Sequence, residues 1–111
     1  MTHPSDLDSV LASIWARRGP QVLIDVQELC HEVEDLSQAG PEVLTKSREK
    51  VHELIGVFGI MQFADCVELS RSVQAILDEL KVHSNIENPV ADLINLAHEL
   101  KQAVTRRLSM H

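Results

Sequence analysis

Apolar residues recur every three or four positions along nearly the whole chain, and no stretch alternates apolar with polar. A repeat of about 3.6 suits one buried face of a helix, whereas a half-buried strand needs a repeat of two. A chain patterned this way has to bury helix against helix. The breakers then say how many helices there are. Pro4-Ser5-Asp6 is a good helix start, and Leu7, Val10, Leu11 and Ile14 follow at helical spacing. Gly19-Pro20 predicts the end of this short leading helix. From about 21 to 38, Val22, Val26, Leu29, Val33 and Leu36 share one stripe. Gly40 is a stop signal, and Pro41 suits the first turn of a helix spanning about 41–61. A helix over about 63–82 carries Cys66, Leu69, Val73, Ile76 and Leu80. "HSNIENP" reads as a loop. Asn88-Pro89 is a cap and first turn for a last helix, about 89–108, with Val90, Leu93, Ala97, Leu100 and Val104 on its stripe.

The expected architecture is all-α: an antiparallel up-down-up-down four-helix bundle with a short additional N-terminal helix, in one domain spanning 1–111. Composition agrees with it. Aromatics make up 3% of the residues, so the core must be built from Leu, Val and Ile, which favours packed helices over a sandwich. The net charge of −7 argues against a nucleic-acid partner, because phosphate binding wants a basic face. No apolar run is long enough to cross a bilayer, and "MTHPSDLDSV" does not read as a secretory leader. The expectation is a cytoplasmic protein without a membrane partner. Cys30 and Cys66 sit inside apolar stripes and read as buried free thiols.

One helix raises a question of its own. The stretch "KVHELIGVFGIMQF" places His52, Gly56 and Gly59 in the middle of the 41–61 helix. At about 100° per residue, Ser47, Val51, Leu54, Phe58 and Met61 cluster on the core side. His52 points away from that cluster, with Thr45, Arg48, Glu49, Ile55, Gly56 and Gly59 around it. Two glycines inside a helix cost roughly 1 kcal/mol each relative to alanine. A surface histidine alone is ordinarily just a surface residue, and a small-residue stripe can serve helix packing. An outward histidine beside two glycines and a large aliphatic, Ile55, points instead to a second molecule that must come close.

The same residues resemble a family pattern. Histidine phosphotransfer (HPt) domains carry H-x-L-K-G on the second helix of a four-helix bundle. His52-Glu53-Leu54-Ile55-Gly56 matches at the histidine, the leucine and the glycine. The next helix, "FADCVELSRSVQAIL", is similar in apolar spacing and in a segment from Leu69 to Arg71. The likeness covers roughly residues 21–108, mostly as helix pattern. Two positions depart from it: Ile55 stands where the family has lysine, and Gln62 where a glycine is usual near the end of the motif helix. In such domains the lysine helps hold the phosphoryl group. Arg48, one turn before His52, is the residue placed to substitute for it.

The resemblance implies a phosphocarrier rather than a kinase, and no glycine-rich nucleotide loop is present. His52 would be the nucleophile, through Nε2, taking a phosphoryl group from the aspartyl phosphate of a response-regulator receiver domain and passing it to another receiver. Such a receiver, free-standing or part of a hybrid sensor kinase, would bring the magnesium, so no cofactor of the chain's own is expected. Thr45, Glu49, Ile55, Gly56 and Gly59 would form the docking surface. The alternative is a degenerate HPt-like module that docks a signalling partner without catalysis.

Other histidines offer less. His98-Glu99-Leu100-Lys101 starts like the motif, but Gln102 replaces the glycine and no two further helices can follow. Glu28-Leu29-Cys30-His31 and Glu49-Lys50-Val51-His52 have the E-x-x-H spacing of di-iron bundles. Both pairs point outward on their helices, so a buried metal site is not expected. Arg106-Arg107 suits the carboxy terminus of the last helix.

Overall fold

The structure is a computed structural model that describes residues 4–36, 41–82 and 88–109. Those residues form four helices: α1 (Pro4–Glu34), α2 (Pro41–Met61), α3 (Ala64–Val82) and α4 (Asn88–Ser109). No strand occurs among the described residues. Neighbours pack in a ring, α1 on α2, α2 on α3, α3 on α4 and α4 on α1. Cross-helix pairs set the levels: Lys50 meets Glu28 and Glu32, Arg48 meets Asp78, Arg107 meets Asp65, and His98 meets Glu34. No described helix is long and apolar enough to cross a membrane.

The short leading helix does not stand apart from the next one. α1 runs unbroken for 31 residues, through Gly19 and Pro20. The glycine there answers a packing demand. A Cβ at Gly19 would lie 2.5 Å from Leu108 Cδ2 and 3.1 Å from the Trp15 ring, so its absence lets α1 approach α4. Pro20 removes one backbone donor inside the helix, which tertiary packing on either side tolerates here.

The core comes from inward rows of all four helices. Val22, Val26, Leu29 and Val33 are buried on α1, and Leu36 is half-buried just beyond its end. On α2 the inward row is Ser47, Val51, Leu54, Phe58 and Met61, as the spacing predicts. On α4, Leu93, Ala97, Leu100 and Val104 are buried and Ala103 joins them. The row expected on α3 is rotated. Cys66 and Val73 are inside, but Ser70 and Leu77 complete the row, while Leu69, Ile76 and Leu80 lie half-buried on its flanks. A buried serine hides that row from a hydrophobicity reading. The loop expected around 83–87, the stop expected at Gly40, residues 37–38 and the Val90 side chain fall outside the described residues.

Candidate functional site

α2 ends in a left-handed turn. Gln62 has φ 64°, the Phe63 N–H donates to Phe58 O at 3.0 Å, and the Gln62 N–H donates to Gly59 O at 3.2 Å. This closes the helix and swings Phe63 against Trp15, edge to face at 4.9 Å between ring centroids. Gln62 thus occupies a conformation that glycine adopts without strain. The Arg107 guanidinium lies 3.9 Å from the centre of the Phe63 ring and pairs with Asp65. Arg107 therefore reaches across to α3 instead of staying with its own helix end. Burial alone would raise the Asp65 carboxyl, but hydrogen bonds from Arg107 and the Cys66 N–H hold it below its usual range.

The turn and the inward row of α2 fix where its other residues face. Lys50 lies on the α1 flank, where Nζ donates to Glu32 at 2.6 Å and Glu28 at 3.0 Å. Ser47 donates to Glu32 at 2.8 Å from inside. Burial pulls the Lys50 ammonium down, yet these hydrogen bonds outweigh it and leave the group above its ordinary value. Arg48 lies on the opposite flank, where Nε donates to Asp78 Oδ1 at 2.8 Å. Between the flanks, on the outer face, sit Thr45, Glu49, His52, Glu53, Gly56, Gly59 and Ile60, all exposed. Among the described residues His52 makes no hydrogen bond or ion pair, which leaves both ring nitrogens open to an approaching group.

The glycines are bare. A Cβ built at Gly56 or Gly59 meets nothing within 4 Å. Neither glycine is needed by the packing of this chain, in contrast to Gly19. Beside His52 the helix therefore offers exposed backbone, a low surface on which another molecule can sit.

Two expected members of the patch behave differently. Ile55 is half-buried against the core at the α2–α3 boundary, because its direction falls between the inward row and the outer face. It offers an edge and not a projecting side chain. Arg48 is engaged by Asp78, and its side chain is 31% exposed. That bond uses Nε, and a guanidinium carries further N–H donors on its outer nitrogens. Thr45 turns its hydroxyl back, donating to Pro41 O at 3.2 Å. Ile60 was missed. It is 65% exposed next to both glycines, and the same count of about 100° per residue puts it on the outer face.

The remaining candidates are placed as follows. Glu28, His31 and Glu49 are exposed, and among the described residues no group of three or more His, Cys, Asp or Glu is arranged to hold a metal ion. His98 is exposed, with Nε2 3.0 Å from Glu34 Oε1. Cys30 and Cys66 are buried free thiols, and burial pushes both up from the usual cysteine value. Comparison with family models, with curated proteins and with solved structures gives no match to this chain.

Proposed function

We propose that the chain is an HPt-like histidine phosphocarrier, with His52 as the phospho-acceptor. The observation that carries the reading is the outer face of α2: an unpartnered imidazole flanked by two glycines whose missing side chains the fold itself does not need. The cross-helix pairs fit an up-down-up-down order, which would put this face on the side of a rod open to a partner. A cytoplasmic location goes with the reading.

The chemistry asks little of the carrier. The Nε2 lone pair of a neutral imidazole forms the N–P bond while the bond from phosphorus to the donor's aspartyl oxygen breaks. The electron pair leaves on the aspartate carboxylate, and the ring proton stays on Nδ1. The return step to a second receiver reverses this. The receiver supplies magnesium and its own phosphate-holding groups. Arg48 would turn its outer nitrogens toward the phosphoryl oxygens while Nε keeps Asp78, and Gly56, Gly59 and Ile60 would seat the partner backbone.

A specific observation favours a second reading, docking without transfer. Ile55 replaces the family's lysine, and the nearest candidate substitute, Arg48, is already bound to Asp78. One experiment separates the two. A receiver phosphorylated with a small phosphodonor is mixed with the chain, and acid-labile phosphate is followed. Transfer that is lost in His52→Gln supports the carrier. Binding without transfer supports the docking module.

A further inference from the structure

Two ties set α3 against α2: the left-handed turn at Gln62, and the pair of Arg48 Nε with Asp78 Oδ1 at 2.8 Å. Between these ties the two helices run back along each other. Counting from the Arg48–Asp78 pair at about 1.5 Å per residue, Arg71 shares a level with Ile55. His52 then lies about 4–5 Å nearer the pair than Arg71 does. Direction follows from the same count. Arg48 and Asp78 meet on the solvent side of the α2–α3 seam, with side chains 31% and 49% exposed. Arg71 points within about 20° of the direction of Asp78 on α3, and His52 within about 40° of that of Arg48 on α2. Arg71 and His52 therefore rise from the same side of the seam, on helices whose axes in such packing lie about 8–10 Å apart.

Arg71 is exposed, and among the described residues it makes no hydrogen bond or ion pair. That is unusual for a cation in a chain of net charge −7. The acid within a turn of it on α3, Glu68, stands about 60° further round, away from α2. Across the seam it meets Ile55 and the bare backbone of Gly56 and Gly59, where a Cβ would touch nothing within 4 Å. No side chain from α2 at that level pairs with it or blocks its way to the imidazole. We propose that Arg71 is a phosphate-holding residue: its guanidinium crosses the seam and donates N–H bonds to the oxygens of a phosphoryl group on His52 Nε2. The proposal rests on the carrier reading and adds a residue to its site. Arg48 and Arg71 then bracket His52 lengthwise, each within about one turn of its level, from two different helices. Their contributions differ. Arg48 has its Nε committed to Asp78, whereas all five N–H donors of Arg71 are free, in a planar fork that matches a phosphate.

The test phosphorylates the full chain chemically with phosphoramidate, which needs no receiver, and assigns the His52 signal by its loss in His52→Gln. Phosphorus NMR then follows the second ionisation of that phosphoryl group. A guanidinium beside it favours the dianion, so Arg71→Ala should raise its pKa by about half a unit, while Arg71→Lys should keep most of the effect. Arg17→Ala, on the exposed side of α1, should leave it unchanged. The circular dichroism of Arg71→Ala should match the parent, since the side chain is exposed. In a second arm, transfer from a phosphorylated receiver should slow about tenfold in Arg71→Ala with the affinity for that receiver unchanged. A pKa that does not move in Arg71→Ala overturns the proposal, and a slower rate on its own would place Arg71 in docking instead. If receivers never phosphorylate His52 but the chemically added group still responds to Arg71, the carrier reading falls and the anion site stands. If transfer proceeds and neither rate nor pKa responds, the carrier reading stands and this proposal falls.

Discussion

Replacing Gly56 and Gly59 by alanine tests the reading of the bare patch from two sides. Both positions are helical, and no described glycine has positive φ. A Cβ at either would meet no atom within 4 Å, so the packing change is nil. What remains is the intrinsic preference for alanine, about 0.4–1 kcal/mol per site, part of it from the unfolded chain. The double variant should gain about 1–2 kcal/mol. At about 2.1 cal/mol/K per residue, a chain of 111 residues unfolds with an entropy of about 230 cal/mol/K, so the thermal midpoint should rise by about 4–8 °C. Circular dichroism melting measures it. A second arm uses Gly56→Gln and Gly59→Gln, which should also melt higher than the parent while slowing transfer from a phosphorylated receiver. Gly19→Ala is the internal contrast. Its Cβ would crowd Leu108 and the buried Trp15 ring, and overpacking of about 1–3 kcal/mol cancels or exceeds the helix gain. If alanine at 56 and 59 destabilises, the patch is not open. If glutamine there stabilises and transfer is unchanged, the glycines do not serve docking.

Three further outcomes follow from named contacts. Gln62→Gly should raise stability by about 1 kcal/mol in chemical denaturation, since it removes a side chain from a left-handed turn; no gain would mean the turn is unstrained. Arg48→Ala should slow phosphorylation of His52 while lowering stability by less than about 1 kcal/mol, as its pair with Asp78 is half-exposed; an unchanged rate removes Arg48 from the site. Lys50 sits above its ordinary value of 10.5 when folded, so its hydrogen bonds to Glu32 and Glu28 stabilise fully below that pH and are lost as pH rises through the higher folded value. The thermal midpoint should therefore fall at strongly alkaline pH, and fall less steeply in Lys50→Met.

Much of this arrangement is readable from the residues, and the failures share a cause. α2 was legible because its inward row is strongly apolar, its start is marked by Pro41, and the outward direction of His52 follows from counting turns. On α3 the apolar spacing favours Leu69, Ile76 and Leu80 over the true inward row, because a buried serine, Ser70, stands in that row. Gly19-Pro20 looked like a boundary because local propensity favours a break there. The close approach of Leu108 and Trp15, which leaves little room for a side chain at that point, is a tertiary fact with no local signature. Arg107 suits its own helix end by sequence for the same reason, since its partners Asp65 and Phe63 are remote along the chain. Ile60, by contrast, could have been found by the count that placed His52.

The most direct test of the account is to locate the phosphate. After incubation with a phosphorylated receiver, the chain would be digested at neutral to alkaline pH and its peptides sequenced by mass spectrometry under conditions that spare N–P bonds. The account predicts one phosphoryl group, on the imidazole of His52. Phosphate on His98 or His31, or none on any histidine while the receiver stays bound, would contradict it.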